Sequence, residues 1–133
     1  MRIEVKPGFW ITAALWLLLV PLQLGVGVLL AAAVHELGHM AAVRITGGRV
    51  RALELGPGGA RMTADEMGRG AELLCTLAGP VAGGMTVLLW RWYPELAVAG
   101  LVQTVFNLLP VYPLDGGRVV RNICCKSRDF GVQ

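Results

Sequence analysis

The sequence predicts an all-α membrane protein: a polytopic bundle of about four transmembrane or partly spanning helices, with a small β-hairpin beside the candidate site. Three observations carry that expectation. Of 133 residues, 55% are hydrophobic and only 16% charged, against about 25% charged in soluble globular domains, and the mean hydropathy is +0.60. The apolar residues fall into long runs separated by Pro, Gly and short polar segments. The basic residues gather in those polar segments rather than spreading evenly. The length fits one membrane-embedded domain, residues 1–133.

Residues 9–43 carry no charged side chain except Glu36. As one straight helix they would measure about 52 Å, against a hydrocarbon core of about 30 Å. The run must therefore break, and Pro21, Gln23, Gly25 and Gly27 mark the place. Helices are expected at about 9–20 and 24–43, with one kinked and tilted helix as the alternative. The basic flank at residues 1–6 reads as the start of a retained membrane segment rather than of a cleaved signal.

Residues 44–70 are the most polar part, a cytoplasmic or re-entrant loop. Gly47-Gly48 and Gly56-Pro57-Gly58-Gly59 read as turns, and residues 49–55 and 60–63 have strand character, so a small hairpin competes there with a solvated loop. A third helix is expected at about 71–92. Gly79 and Gly83 give it a surface for close helix approach, Pro80 a kink, and Trp90, Trp92 and Tyr93 an interfacial belt. A fourth is expected at about 96–125, interrupted by Asn107-Leu108-Leu109-Pro110-Val111-Tyr112-Pro113-Leu114-Asp115-Gly116-Gly117. Two prolines and two glycines break a helix here. Unwound backbone at membrane depth persists only against protein or a water-filled cavity. The alternative is a surface loop with Asp115 capping the next helix.

Alternating helices would put the N-terminus, the 44–70 loop and the C-terminal tail on one side. That side holds 11 of the 12 Lys and Arg residues, with only Arg91 opposite, and by the positive-inside rule it is cytoplasmic. No basic tract with interleaved aromatics supports a nucleic-acid partner. Cys75, Cys124 and Cys125 lack metal-ligand spacing and read as unpaired.

The chemistry lies in His35-Glu36-Leu37-Gly38-His39, which holds both histidines of the chain. Four residues apart on a helix, the two imidazoles share a face and can reach one zinc ion, with Glu36 beside them as a candidate general base. A core helix with two satisfied histidines is the alternative, but apolar helices rarely bury three ionisable groups without use for them. A catalytic zinc usually takes three protein ligands and keeps a fourth position open. The extended three-histidine pattern fails, because Ala42 and Ile45 stand where Gly and His are needed. A carboxylate must then be third, from Glu54, Asp65, Glu66, Glu72 or Asp115. Helical rise places His35 about 13 Å and Asp115 about 15 Å from the same membrane side. That match favours Asp115, with Glu72 at the mouth of the third helix as the alternative.

His35-Glu36-Leu37-Gly38-His39, Ala78-Gly79-Pro80 and the 107–117 segment, in that order and about 80 residues from first to last, resemble the site-2 protease family of intramembrane zinc metalloproteases. The resemblance covers roughly residues 8–121. The Gly58-Gly59 turn and the form of the Asp motif are most similar to the bacterial branch that processes a sporulation sigma-factor precursor. The resemblance implies that His35, His39 and Asp115 bind Zn2+, that Glu36 is the catalytic base, and that Asn107 helps hold substrate near the metal. It implies a zinc metalloendopeptidase integral to the cell membrane. Its partners would be the lipid bilayer, a membrane-associated or single-span protein substrate, and a regulatory membrane protein. The alternative is a catalytically incomplete relative that binds a partner or a metal.

Overall fold

We describe residues 2–124 of a computed structural model, apart from Gly58 and the side chain of Leu17. Cys125, Lys126 and Arg128, and the end of the helix expected to reach residue 125, lie outside these residues. Helix α1 (Pro7–Leu19) opens on a proline, whose missing N–H is no loss at a helix start. It ends at an extended Val20, and Pro21 turns the chain into α2 (Leu22–Ile45). The break separates two helices, so the single kinked helix does not form. At the end of α2, Thr46 Oγ1 donates to the carbonyls of Ala42 and Val43 at 2.9 and 3.0 Å. Gly47, just beyond, adopts a φ of +81°, a conformation glycine reaches without strain.

The polar segment folds as a sheet. Strands β2 (Val50–Gly56) and β3 (Gly59–Ala64) pair antiparallel, as the turn residues suggest. A third strand was not expected: β1 (Arg2–Val5), read from sequence only as a basic flank, pairs parallel with β2. The order is β1-β2-β3, which leaves β3 as an edge. A small core of Ala42, Val43 and Cys75, with Val50, Met62, Ala64 and Met67 packed on it, seats the sheet against the helices.

Helix α3 (Arg69–Met85) continues through Pro80 and tightens to a 3-10 turn at Thr86–Leu89, short of the expected residue 92. Helix α4 (Pro94–Asn107) and helix α5 (Asp115–Cys124) flank the non-helical residues 108–114. Among the described residues, two helices are long and apolar enough to cross a membrane, Leu22–Ile45 with 24 residues and Arg69–Leu89 with 21. At 13 and 14 residues, α1 and α4 fall short of the roughly 20 that a full span needs. The expected four helices thus become two candidate spans with shorter helices around them.

Helix α2 is central, packed mainly against α3 and α4 and touching α1 sparsely. The packed surfaces carry small residues: Ala31 on α2, Gly79 and Gly83 on α3, Ala97, Ala99 and Gly100 on α4. Large apolar side chains such as Leu18, Leu22, Val81, Val102 and Phe106 are exposed instead. Small residues inside and bulky ones outside is the arrangement of helices that associate in lipid, where close van der Waals contact replaces the hydrophobic effect. Hydroxyls add cross-ties. Thr104 Oγ1 donates to the Pro80 carbonyl at 3.1 Å, linking α4 to α3.

A side chain at Gly100 would overlap the Thr86 hydroxyl and come within 2.7 Å of the Gly83 carbonyl oxygen, whereas Gly25 has open space around it. Gly100→Ala should therefore destabilise the detergent-solubilised protein by about 1–3 kcal/mol. Gly25→Ala should not, in side-by-side denaturation curves.

Candidate metal centre

His35 and His39 project from one face of α2, with ring centroids 4.8 Å apart and nearly perpendicular planes. Both are buried. The Cys75 carbonyl on α3 lies 2.7 Å from His39 Nδ1. A carbonyl can only accept, so His39 Nδ1 carries the proton and donates it. In the neutral ring Nε2 is then a bare lone pair. That lone pair points at His35 Nε2, 3.1 Å away, and at Asp115 Oδ2, 3.2 Å away. Asp115 Oδ2 lies 3.1 Å from His35 Nε2 as well. The three atoms form a small, nearly equilateral triangle.

Asp115 is brought there by the broken segment. Leu108 and Leu109 continue α4 by turn-like bonds to Thr104 and Phe106, and Leu114 N–H returns to Val111 O at 2.9 Å. The first turn of α5 nests into this loop. A Cβ on Gly116 would strike the carbonyls of Leu108 and Leu109, and one on Gly117 would lie 2.5 Å from the Tyr112 nitrogen. Only glycines allow that approach, which explains why two follow the aspartate. Asp115 is the first residue of α5, yet its Oδ2 faces the imidazoles rather than capping the helix.

The other carboxylates considered are held elsewhere. Glu54 pairs with Lys6 at 3.0 Å, and Asp65 with Arg51. Glu72 accepts from Asn122 Nδ2 at 3.0 Å, and Asn122 O in turn accepts from Arg69. Glu66 is exposed. Among the described residues, the group that could hold a metal ion is His35, His39 and Asp115. The donor set fits zinc: tetrahedral bonds of about 2.0–2.2 Å place ligand atoms roughly 3.3–3.5 Å apart, close to the triangle seen here.

A cavity of about 760 Å³ opens onto this triangle. Glu36, half-buried, lines it with the three putting forward their donor atoms, as do Gln103, Asn107 and the β3 residues Gly59 to Thr63. Lys6, Arg61, Arg118 and Arg121 give it a basic rim. Arg118 Nη1 stands 3.9 Å from Asp115 Oδ1, and Arg121 lies over the Tyr112 ring at 5.3 Å.

No family model matches the chain. It is 28% identical to Stage IV sporulation protein FB of Bacillus subtilis, over 98% of its own length and 50% of that protein's. It is 30% identical to Zinc metalloprotease MJ0392 of Methanocaldococcus jannaschii, over 72% of its own length and 32% of the relative's. The solved site-2 protease from Methanocaldococcus jannaschii superposes on it with a TM-score of 0.75 and 24% identity, covering 96% of this chain and 69% of the other. The chain is a homologue of these two curated proteins and has the fold of the solved site-2 protease. It spans half or less of the length of the two curated relatives. Gly58, part of the turn that suggested the sporulation branch, lies outside the described residues.

Within this fold Gly79 does more than the helix approach its sequence context suggests. A Cβ there would collide with the His39 imidazole. The residue leaves room for the ring to stand between α2 and α3 and meet the Cys75 carbonyl. Sequence spacing could not reveal this, because the contact joins positions forty residues apart; the Ala78-Gly79-Pro80 motif was its only signal. Gly79→Ala should displace the ring and weaken zinc binding at least about tenfold. Gly84→Ala, whose Cβ would make ordinary contacts at 3.7 Å, should retain zinc in metal analysis after chelator dialysis.

Proposed function

We propose that this chain is the core of an intramembrane zinc metalloprotease that cleaves a membrane-associated or single-span protein. His35, His39 and Asp115 would hold the metal. The observation that carries the reading is the convergence of His35 Nε2, His39 Nε2 and Asp115 Oδ2 within 3.2 Å of one another, in a cavity that also exposes Glu36 and Asn107. Its homology to a zinc metalloprotease supports it. A sporulation sigma-factor precursor is the substrate class that the motif resemblance and the relation to Stage IV sporulation protein FB favour.

Zinc held by these ligands supplies Lewis acidity, which makes water nucleophilic near neutral pH and polarises a carbonyl. Glu36 accepts the proton that the attacking water gives up and returns it to the leaving amine. Asn107, at the end of α4, holds the substrate backbone by its amide. The substrate segment unwinds and lies along β3, whose free edge borders the cavity and offers main-chain hydrogen bonds. Protein walls and the open basic rim let water reach the site from one side.

That side is the cytoplasm, with the N-terminus, the 44–70 segment and the C-terminus all facing it. The basic residues support this orientation, 11 of 12 lying in those segments. So does the sheet, since β1 pairs with β2 and keeps the N-terminus beside the 44–70 segment. The exposed apolar side chains of α1, α2 and α4 face the lipid of the cell membrane.

Glu36→Gln separates a protease from a metal-carrying or partner-binding protein. It preserves size but cannot take the proton. Co-expressed with single-span substrates, the variant should lose cleavage by at least about 100-fold, while zinc content and substrate association persist. Equal processing by wild type and variant would overturn the role of Glu36.

A further inference from the structure

Arg118 stands on the first turn of α5, three residues after Asp115 and so on the same helix face. Its Nη1 lies 3.9 Å from Asp115 Oδ1. That oxygen is the one outside the triangle of donor atoms, to which Asp115 Oδ2 belongs. At this distance the two groups form an ion pair without a hydrogen bond, so the guanidinium keeps N–H donors to spare. Its side chain is 41% exposed, and it lines the cavity that holds Glu36 and Asn107. The backbone beneath it is firmly placed. The Arg118 N–H donates to the Leu114 carbonyl at 3.0 Å, and Gly116 and Gly117 seat the same turn on the loop. Asn122 ties the far end of α5 to Glu72 on α3.

The other cations of the cavity rim are engaged or placed elsewhere. Lys6 pairs with Glu54, Arg121 lies over the Tyr112 ring, and Arg61 comes from β3. Of the lysines and arginines among the described residues, Arg118 alone pairs with Asp115. With zinc in place, Asp115 and Glu36 carry two negative charges against the two positive charges of the metal. Arg118 then adds a positive charge that the resting centre does not need, and like charges at this range repel. A guanidinium in that position is useful where negative charge develops during a reaction.

We propose that Arg118 is a further catalytic residue, which holds the oxyanion formed when the peptide bond is attacked. This rests on the zinc protease reading given above. The water oxygen bonds to the carbonyl carbon, and the carbonyl π pair moves onto its own oxygen. Glu36 takes the proton of the water and loses its negative charge as the carbonyl oxygen gains one. Negative charge thus passes from Glu36 to the substrate, where the free N–H donors of Arg118 receive it. When that electron pair returns, the C–N bond breaks, its electrons go to nitrogen, and nitrogen takes the proton from Glu36. Arg118 binds the charge only while it exists, so it favours the transition state over the bound substrate.

The test compares Arg118→Gln and Arg118→Lys with the wild-type full chain, purified and loaded with zinc. Two probes are used: an apolar peptide phosphonamidate, which carries the two oxygens of a tetrahedral intermediate, and a peptide thiol of the same sequence, which carries neither. In Arg118→Gln, phosphonamidate affinity should fall about 100-fold and kcat on a single-span substrate about 100–1000-fold. KM, thiol affinity and zinc affinity, the last by competition with a chelating indicator, should hold. Arg118→Lys keeps the charge without the planar fork and should recover part of both losses. Equal loss of thiol and phosphonamidate binding would overturn the role of Arg118, because it would show a general attraction for anions. A parallel loss of zinc would overturn it too, by showing that Arg118 acts through Asp115, as would a raised KM with kcat intact. Each of these outcomes leaves the protease reading standing. A wild-type chain that binds zinc but neither probe nor substrate would overturn the protease reading and this role together.

Discussion

Two imidazole nitrogens and a carboxylate oxygen, all buried, lie within 3.2 Å of one another. Without a cation between them, only one proton at a time could relieve each pair, and the carboxylate would have lost its water. Nothing in an apolar helix bundle keeps three such groups together cheaply. Much of the chain's architecture follows from holding them there. Helix α2 must present one face at i and i+4, α3 must come close enough for a backbone carbonyl to orient His39, and a segment eighty residues away must deliver Asp115 to the same depth.

That delivery explains the least regular part of the fold. Helix α4 stops at Asn107, and the chain makes a compact loop before α5 begins at Asp115. Gly116 and Gly117 let the first turn of α5 pack on the backbone of that loop. The same economy of side chains recurs where helices meet: Gly79 clears the His39 ring, and Gly38 approaches the Ala78 carbonyl so closely that a Cβ there would lie 2.6 Å from its oxygen. Small residues thus serve two ends at once. They let helices approach without a hydrophobic drive between them, and they make room for the polar side chains between those helices.

Much of this was legible in the amino-acid order. The spacing of His35 and His39 put them on one face. Counting helical rise brought Asp115 to their depth, where the structure places its carboxylate. Pro21 marked the break between α1 and α2, and the glycine turns bracketed β2 and β3. What could not be read depended on contacts distant in sequence. Strand β1 alternates polar and apolar residues, but four residues are too few to stand out, and its parallel partner lies about fifty positions on. From sequence Cys75 reads only as an unpaired cysteine. Its side chain does sit in a small core, while its backbone carbonyl, invisible to residue type, orients His39. The end of α3 also escaped, because apolar composition continues to Trp92 while the helix tightens to a 3-10 turn at Thr86–Leu89.

The most direct measurement is zinc K-edge X-ray absorption of the purified chain. Coordination by His35, His39 and Asp115 requires two imidazole nitrogens and one or two oxygens at about 2.0–2.2 Å, with no sulfur. Replacing Asp115 by alanine should remove an oxygen contribution and leave both imidazoles. A scatterer at about 2.3 Å, the distance of a zinc–thiolate bond, or a spectrum with a single imidazole, would contradict this centre.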